Sequence, residues 1–392
     1  MSTLVLPGFA NVHSHAFQRL MRGEVQRRDP ARSDTFWTWR ERMYAHANRL
    51  DLAALEAAAR LVYSECLEGG YTAIGEFHYL HHDPTGAPWP DPVAAAKVHL
   101  RAARDAGIRL TMLWCVYARG GFERAPTDGQ RRFVTRELGD VETALDLLAA
   151  DSANDLTGRT RLGLAIHSVR AVPREWLGPL AELARQRGLP LHVHASEQRK
   201  EVADCRAHTG LSPVGLLAAE GVLADTTTIV HGTWLDDGDI ALLARHRTLV
   251  GLCPSTEGDL GDGIPRIADL QAAGVRMCIG TDSHAVIDPF YEVRTVEYLA
   301  RVSGERRCVL TDAAGEVAPA LTAIGSTNGY GSLGWAGACE GGGDTVELDL
   351  SNRVFEGQND ALSTALLGGH RGLVQRTTVA GQVVVEAGRW VG

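Results

Sequence analysis

The sequence predicts an α/β fold, a (β/α)8 TIM barrel with a small β appendage. Short apolar runs alternate with amphipathic stretches about eight times along the chain, which is the pattern of repeated β-α units. A glycine follows several amphipathic stretches, as is usual just past a helix end. The 392 residues, 45% of them hydrophobic, are enough for a large barrel and its core. A doubly wound open sheet is the alternative, but no G-x-G-x-x-G motif opens any helical stretch.

The predicted strands and helices alternate along the first three quarters of the chain. The strands cover Leu4–Val12, Tyr71–Phe77, Ile108–Tyr117, Arg161–Ile166, Pro190–His194, Thr227–Val230, Thr248–Cys253 and Arg276–Gly280. The helices cover Leu52–Glu68, Pro92–Ala106, Val141–Ala150, Trp176–Arg187, Pro213–Glu220, Asp239–Arg247, Ile267–Ala273 and Phe290–Arg301. This alternation indicates a parallel barrel with its helices outside.

The character of the sequence changes after about residue 309. Thr311–Ile324 predicts one more helix, and Asn328–Gly343 is rich in glycine. Asp344–Leu350 and Thr377–Glu386 predict strands, the second with a turn at Ala380-Gly381. The last part of the chain is therefore expected to form a small β appendage.

Composition excludes several classes of function. The net charge is −9 with acidic and basic residues mixed, so the chain shows neither a nucleic-acid-binding patch nor a polybasic membrane anchor. It shows no secretory signal and no long apolar span. The seven cysteines form no C-x-x-C pair, which favours a reducing compartment. We therefore expect a cytoplasmic protein, with the oligomeric state left open, a homodimer included.

Polar residues of chemical interest follow nearly every predicted strand, where barrel enzymes carry their chemistry. They are His13 and His15, Glu76 and His78, Tyr117, His167 and Arg170, His194, His231, and Asp282. Any one of them could be an ordinary packed or turn residue, and His192-Val-His194 shows that an H-x-H pair alone carries little weight. Six of the eight predicted strand ends carry His or Asp, and the packing of a hydrophobic core does not account for this number.

Four of these residues predict a metal site. His13 and His15 lie two positions apart, so their side chains point to the same face of a strand. With His194 and Asp282 they form a nitrogen-rich ligand set that suits Zn²⁺ and leaves a position for water, with Fe²⁺ as the alternative ion. Neither Lys97 nor Lys200 follows a strand, so a modified lysine is not expected to bridge two ions. The sequence predicts one ion per chain.

Three residues are candidates for catalysis. Glu197 lies three positions after His194, where it could carry protons between a metal-bound hydroxide and the nitrogen of a C=N group. His231 could hydrogen-bond the attacking hydroxide. Asp282 could accept the proton of the water as well as bind the metal. The alternatives are a first-turn glutamate, a fifth ligand or packed histidine, and a turn aspartate.

These motifs resemble those of the amidohydrolase superfamily. Pro-Gly-Phe-Ala-Asn-Val-His-Ser-His, His-Ala-Ser-Glu, Val-His-Gly and Gly-Thr-Asp-Ser occur in that family's order, and the resemblance extends from Leu6 to about Val302. The His-x-x-Glu motif is similar to that of the deaminase branch, which attacks C=N bonds rather than amides. The resemblance implies a barrel enzyme that releases ammonia.

Four further segments narrow the resemblance. They are His-Ser-His-Ala-Phe-Gln-Arg, Phe-Trp-Thr-Trp-Arg-Glu-Arg-Met-Tyr, Gly-Glu-Phe-His-Tyr-Leu-His-His and Ile-His-Ser-Val-Arg-Ala-Val. They look like those of a deiminase group of histidine degradation, which uses one zinc ion to hydrolyse a linear amidine carrying two carboxylates. The resemblance implies that Arg170 and Arg40 grip the carboxylates, since guanidinium groups bind them bidentately. Gln18, Tyr79 and His167 would complete the polar lining. A solvated surface arginine is the alternative, stronger for Arg40 than for Arg170.

The start of the chain departs from the family pattern. Members usually carry several dozen residues of a small β domain before the first barrel strand, whereas only Met1–Val5 precede the motif here. Either the true start lies upstream or the appendage is N-terminally truncated. We expect a barrel over residues 4–325 and an appendage over residues 326–392, with at most residues 1–5 added.

Two other functions stay open at this point. One is deamination of a heterocycle such as guanine or cytosine, which predicts an aromatic-lined pocket without dependence on Arg170. The other is a catalytically silent metal-binding relative. Four more histidines are expected to have supporting or structural roles: His81, His82, His192 and His284.

Overall fold

Thirteen strands form two sheets in the computed structural model, which describes residues 2–28, 31, 33–152 and 155–392. The strands are β1 (Thr3–Pro7), β2 (Phe9–Ser14), β3 (Tyr71–His78), β4 (Arg109–Val116), β5 (Thr160–Ser168), β6 (Leu191–Ala195), β7 (Thr227–His231), β8 (Leu249–Leu252), β9 (Met277–Ile279), β10 (Thr345–Asp349), β11 (Val374–Val379), β12 (Gln382–Glu386) and β13 (Arg389–Trp390). Strands β2 to β9 pair in parallel and in chain order. The predicted (β/α)8 barrel is therefore confirmed.

The barrel closes between its last strand and its first. The backbone N–H of Asp282 donates to the carbonyl of His13 at 2.9 Å, and that of His15 donates to the carbonyl of Asp282 at 3.1 Å. These bonds join the C-terminal end of β2 to the segment after β9. Three of the four predicted metal ligands are thus held together by the backbone itself.

Fourteen α-helices lie in the described part of the chain. They are α1 (Phe36–Ala47), α2 (Leu52–Gly69), α3 (Ala94–Ala106), α4 (Leu138–Ser152), α5 (Arg174–Arg187), α6 (Arg199–Thr209), α7 (Pro213–Ala219), α8 (Asp237–His246), α9 (Pro254–Leu260), α10 (Ile267–Ala272), α11 (Pro289–Gly304), α12 (Val317–Gly325), α13 (Thr327–Ser332) and α14 (Ala361–Gly368). Short 3-10 helices cover Ala16–Met21, Asp128–Gln130, Arg353–Phe355 and Arg371–Leu373. Among these α-helices, none is both long enough and apolar enough to cross a membrane.

Helices α1, α6, α9, α13 and α14 were not predicted, and burial explains two of these misses. Only Phe36, Met43 and Ala47 of α1 are buried. Only three residues of α6 are buried, one of them a glutamate. A helix with so narrow an apolar stripe lacks the periodicity on which the prediction depends.

The first predicted strand, Leu4–Val12, is wrong in one respect. It is two strands, β1 in the five-stranded sheet and β2 in the eight-stranded barrel sheet. The break falls at Gly8, whose N–H donates to the carbonyl of Asp344 at 2.9 Å. A Cβ at this position would lie 2.0 Å from Oγ1 of Thr72. Glycine is therefore required where β1 turns into β2.

The small sheet is antiparallel, in the order β1-β10-β11-β12-β13. Thr3 pairs with Asp349, and Thr377 pairs with Val385. The two strand segments predicted for the appendage therefore form β10, β11 and β12. Met1 lies outside the described residues, and the proposed division into two domains stays a prediction.

The glycine-rich segment fills the N-terminal end of the barrel. Oγ1 of Thr111 donates to the carbonyl of Leu333 at 2.8 Å, and the indole of Trp335 donates to Thr111 at 3.0 Å. A Cβ at Gly75 would lie 2.6 Å from Leu333, and one at Gly329 would lie 2.7 Å from the Cβ of Ala10. Glycine at these two positions leaves room for the side chains of Leu333 and Ala10 to pack closely at this end.

One buried carboxylate joins the barrel to the appendage. Asp344 accepts from Nε and Nη2 of Arg109 at 2.6 and 3.0 Å and from the hydroxyl of Tyr330 at 2.7 Å. It also accepts from the backbone N–H of Ala380 at 2.7 Å. Such a fully bonded buried ion pair fixes the position of β4 against the small sheet.

Candidate active site

Four side chains converge at the C-terminal end of the barrel. Nε2 of His13 lies 2.9 Å from Nε2 of His194 and 3.4 Å from Oδ1 of Asp282. Nε2 of His15 lies 3.3 Å from the same carboxylate oxygen. The structure thus brings together all four predicted metal ligands, which come from β2, β6 and the segment after β9.

Hydrogen bonds orient two of the imidazoles toward this centre. Nδ1 of His15 lies 2.9 Å from the carbonyl of Phe77, and Nδ1 of His194 lies 2.9 Å from the carbonyl of His167. A carbonyl only accepts, so each Nδ1 carries the proton and each Nε2 keeps its lone pair. This arrangement of partner and lone pair is typical of metal-ligating histidine.

The charge states also fit a divalent ion. Burial, followed by the charge of neighbouring histidines, lowers the pKa of His15 to about 3 and that of His194 well below its usual value. Burial likewise lowers the pKa of His13. Burial would raise the pKa of Asp282, but His13 and His15 hold it below its usual range. Three neutral imidazoles and one carboxylate are a ligand set that suits Zn²⁺.

A buried network supports the ligands from below. Ser14, between the two histidines of β2, donates to Glu76 at 2.7 Å and lies 3.0 Å from Nε2 of His284. Nδ1 of His284 lies 2.8 Å from Oγ1 of Thr281, to which Asn11 donates at 2.6 Å. Glu76 and His284 thus connect the first, second and last barrel strands around the candidate metal site.

The other predicted supporting histidines also have hydrogen-bond partners. Nε2 of His81 lies 2.7 Å from the carbonyl of Cys115, and Nε2 of His82 lies 2.8 Å from that of Val134. Nε2 of His192 lies 3.1 Å from the carbonyl of Ser332, toward the closed end of the barrel. These contacts hold loops and the barrel floor in place.

The three catalytic candidates lie beside the ligands. Nε2 of His231 is 3.8 Å from Oε1 of Glu197 and 3.9 Å from Oδ2 of Asp282. Burial raises the pKa of Glu197, although His231 and Arg170 oppose that shift. A carboxyl group that can hold a proton here could deliver it to a substrate atom in the cavity.

His231 has a partner that the sequence analysis missed. Its Nδ1 lies 3.3 Å from Oε1 of Glu257, in the first turn of α9. Burial alone would lower the pKa of His231, but Glu197, Glu257 and Asp282 together raise it to about 10. No local sequence signal connects Glu257 with His231, because they meet only through the packing of successive β-α units.

A small cavity of about 40 Å³ opens above the cluster. All five residues predicted to bind substrate line it. Its lining is His15, Gln18, Phe36, Trp39, Arg40, Met43, Tyr44, Tyr79, Tyr117, Phe133, His167, Arg170, His194, Glu197, His231, Leu260 and Asp282. The aromatic and apolar residues contributed by α1 were missed as site residues, because that helix was not predicted.

Two guanidinium groups lie in the wall of this cavity. Nη1 of Arg170 donates to Oγ of Ser168 at 3.2 Å, while its buried Nε has no hydrogen-bond partner among the described residues. The guanidinium of Arg40 stacks 4.6 Å above the ring of Trp37, and its Nε is likewise buried without a partner there. Arginines with unused buried donors favour an anionic ligand.

Gln18 and Tyr79 provide neutral polar groups. Nε2 of Gln18 donates to the hydroxyl of Tyr79 at 3.1 Å, and Oε1 of Gln18 has no partner in the described part of the chain. His167 lies edge-on to Tyr117, with ring centroids 4.4 Å apart. The cavity therefore presents donors and acceptors around its two cationic groups.

The fold and the site together define a class of enzyme, the amidohydrolases. In agreement, the model of the amidohydrolase family matches residues 4–342, and the chain belongs to that family. The family is metal-dependent, and its members are hydrolases. The protein is therefore a hydrolase that acts on carbon–nitrogen bonds.

Two individual relatives have names that indicate a substrate as well as a class of reaction. The chain is 38% identical to the formimidoylglutamate deiminase of Pseudomonas aeruginosa, over 99% of this chain and 86% of that protein. It is 30% identical to a 5-methylthioadenosine/S-adenosylhomocysteine deaminase of Shouchella clausii, over 78% of this chain and 64% of that protein. A crystal structure of an amidohydrolase from Brucella melitensis superposes with a TM-score of 0.91 at 35% identity, over 98% of this chain and 86% of that one. The first two of these relatives support deamination as the class of reaction.

Proposed function

We propose that the protein hydrolyses N-formimidoyl-L-glutamate to N-formyl-L-glutamate and ammonia, with one zinc ion. The observation that carries the proposal is the pair of guanidinium groups, Arg40 and Arg170, in the same cavity as the candidate metal cluster. The protein is net acidic, so a substrate with two carboxylates needs cations placed locally. The deiminase of Pseudomonas aeruginosa supports the same substrate.

His13, His15, His194 and Asp282 would hold the ion. When bound there, the metal would activate a water molecule as the nucleophile and polarise the site. The ligand atoms of His13, His15 and Asp282 lie within 4.8 Å of one another, as do those of His13, His194 and His231. We assign His231 to the substrate side of the cluster, because its Nε2 lies 3.8 Å from Glu197, the proposed proton carrier, and both residues line the cavity.

The remaining steps belong to the chain's own residues. Water adds to the formimino carbon, and Asp282 accepts a proton from the water. Glu197 delivers its proton to the imino nitrogen, and His231 hydrogen-bonds the oxygen on which charge develops. The proton held by Asp282 then passes to the same nitrogen, and the hydroxyl proton returns to Glu197 as the carbonyl forms, so the C–N bond breaks and ammonia leaves. Glu197 suits this role because burial raises its pKa, so that it can hold a proton before transfer.

Substrate orientation follows from the cavity wall. Arg170 and Arg40 would each bind a carboxylate, and the free Oε1 of Gln18 would accept from an N–H of the substrate. Tyr79 and His167 would fill the space between the carboxylates and the reacting carbon. Fixing both ends of a flexible substrate brings its carbon to the water at a high effective concentration.

A second candidate function is deamination of a nucleoside or nucleobase. It is favoured by the aromatic lining of the cavity, which includes Trp39, Tyr44 and Phe133, and by the Shouchella clausii deaminase. A neutral heterocycle, however, offers no carboxylate to the buried Nε atoms of Arg40 and Arg170, which have no hydrogen-bond partner among the described residues. The cost of leaving these donors unpaired makes this function the less favoured one.

Ammonia release by the zinc-loaded protein decides between these functions. The substrates are formimidoylglutamate, adenosine, 5-methylthioadenosine, guanine and cytosine, each over a range of concentrations. We expect the highest kcat/KM with formimidoylglutamate. A higher value with any nucleobase or nucleoside would overturn the proposal. No release from any substrate by protein with one bound zinc would favour a catalytically silent relative.

A further inference from the structure

Glu257 occupies an unusual position for a charged side chain. It lies in the first turn of α9 and is only 2% exposed. Its Oε1 accepts from the backbone N–H of Cys253 at 2.8 Å and contacts Nδ1 of His231 at 3.3 Å. Its Oε2 is buried without a hydrogen-bond partner among the described residues. None of these atoms faces the substrate cavity.

Capping of α9 does not by itself explain this carboxylate. A serine, threonine or asparagine caps a helix without burying a charge, and burying an ionised carboxylate is costly. Moreover, a second buried glutamate serves the same helix end, because Oε2 of Glu292 accepts from the N–H of Ser255 at 3.1 Å. The feature that distinguishes Glu257 from Glu292 is its contact with His231.

His231 needs such a partner to hold its ring in place. Its backbone has a φ of 74°, a left-handed conformation that is strained for a residue other than glycine. Its Nε2 points between Glu197 and Asp282, 3.8 and 3.9 Å away. When Nδ1–H donates to a carboxylate, the proton stays on Nδ1 and the ring plane is fixed.

We propose that Glu257 is a positioning residue for His231. It keeps the imidazole protonated on Nδ1 and turned so that Nε2 faces the reacting centre. Glu257 itself touches neither substrate nor metal ligands. The inference deepens the proposed function, because it rests on the role assigned there to His231.

Two matched series of variants test this role. Glu257→Gln keeps an acceptor oxygen but loses the charge, and Glu257→Met loses both. We expect kcat to fall about 10- to 100-fold in Glu257→Gln and further in Glu257→Met, with KM nearly unchanged, since partners of active-site histidines have effects of this size. Glu292→Gln and Glu292→Met are the controls, and they should retain kcat. Equal losses of kcat in the two series would overturn the proposal.

A double-mutant cycle with His231→Asn separates positioning from capping. If Glu257 acts through His231, Glu257→Gln should lower kcat no further in the His231→Asn protein. Losses that multiply in the double variant would refute the proposal. Thermal unfolding of each variant shows whether it is folded.

Histidine-selective ¹⁵N NMR of the zinc-loaded protein provides a readout that needs no substrate. The signal of His231, identified by its loss in His231→Asn, should show a protonated Nδ1 in the wild type and a changed state in Glu257→Gln. An unprotonated Nδ1 in the wild type would overturn the proposal even if Glu257→Met does not fold. Failure to release ammonia from formimidoylglutamate would instead refute the proposed function and leave this result standing.

Discussion

Replacing Arg170 tests whether the cavity binds a substrate carboxylate. In the structure its Nη1 donates to Ser168, while its Nε is buried without a partner in the described chain. Arg170→Lys keeps the charge but loses one donor of a bidentate pair. A charge-assisted hydrogen bond contributes about 1.5–3 kcal/mol, so kcat/KM should fall about 10- to 150-fold. Arg170→Met removes the charge as well, at a cost of about 2–5 kcal/mol, or about 30- to 5,000-fold.

The assay compares three substrates in each protein. One is formimidoylglutamate, and the others are analogues in which one of its carboxylates is replaced by a neutral amide. If Arg170 binds a carboxylate, Arg170→Met should impair hydrolysis of one analogue far less than hydrolysis of the parent compound. This cycle measures the interaction itself, because effects of the variant on folding act equally on both substrates.

The control is Arg174→Met. Arg174 lies on the surface, pairs with Glu220 at 2.7 Å and does not line the cavity. We expect its kcat/KM to equal that of the wild type. The reasoning fails if Arg170→Met lowers kcat/KM by the same factor for the parent and for both analogues. Arg170 would then act by holding the loop after β5, through Ser168.

Three further perturbations have defined outcomes. Glu197→Gln should retain one zinc by metal analysis while kcat falls about 10²- to 10⁴-fold, and unchanged kcat would remove its assigned role in proton transfer. Chelation of the metal should abolish ammonia release and lower the melting temperature. A metal present at 1,000 times its Kd stabilises the folded protein by about 4 kcal/mol, and chelation removes that contribution. An equal melting temperature with and without metal would contradict the proposed metal site. Asp344→Asn breaks the buried pair with Arg109 and should reduce the free energy of urea unfolding by about 3–5 kcal/mol, whereas Glu356→Gln, in an exposed pair, should leave it unchanged.

The barrel could be predicted because its strands and most of its helices are long, apolar and regularly spaced. Strand β3, for example, is buried throughout and follows the apolar helix α2. The break at Gly8 could not be predicted, because it depends on contact with Thr72, more than sixty residues away in the chain. Helix α6 was missed because its sequence is mostly polar. Few apolar residues recur in it at the spacing that indicates a helix packed on a core.

The candidate site could be predicted because the C-terminal ends of the barrel strands converge. Because parallel strands end on the same side of a barrel, His13, His194 and Asp282 had to approach one another once the barrel was correct. Glu257 could not be found in this way. It lies in a helix, and its contact with His231 is set by packing between β-α units rather than by strand order.

The candidate site also contains several residues with an unusual backbone conformation. Ser196, His231, Asp282 and His284 all have positive φ, between 46° and 74°, although none is glycine. Ser196 directly follows β6, His231 ends β7, and Asp282 and His284 lie in the segment after β9, where the imidazoles and carboxylates meet. Strain of this kind persists only where the surrounding contacts impose it, and it costs stability. Six other non-glycine residues in the described chain also have positive φ, Arg247 and Ala380 among them, so this strain supports a role for His231 and Asp282 only together with the convergence of their side chains.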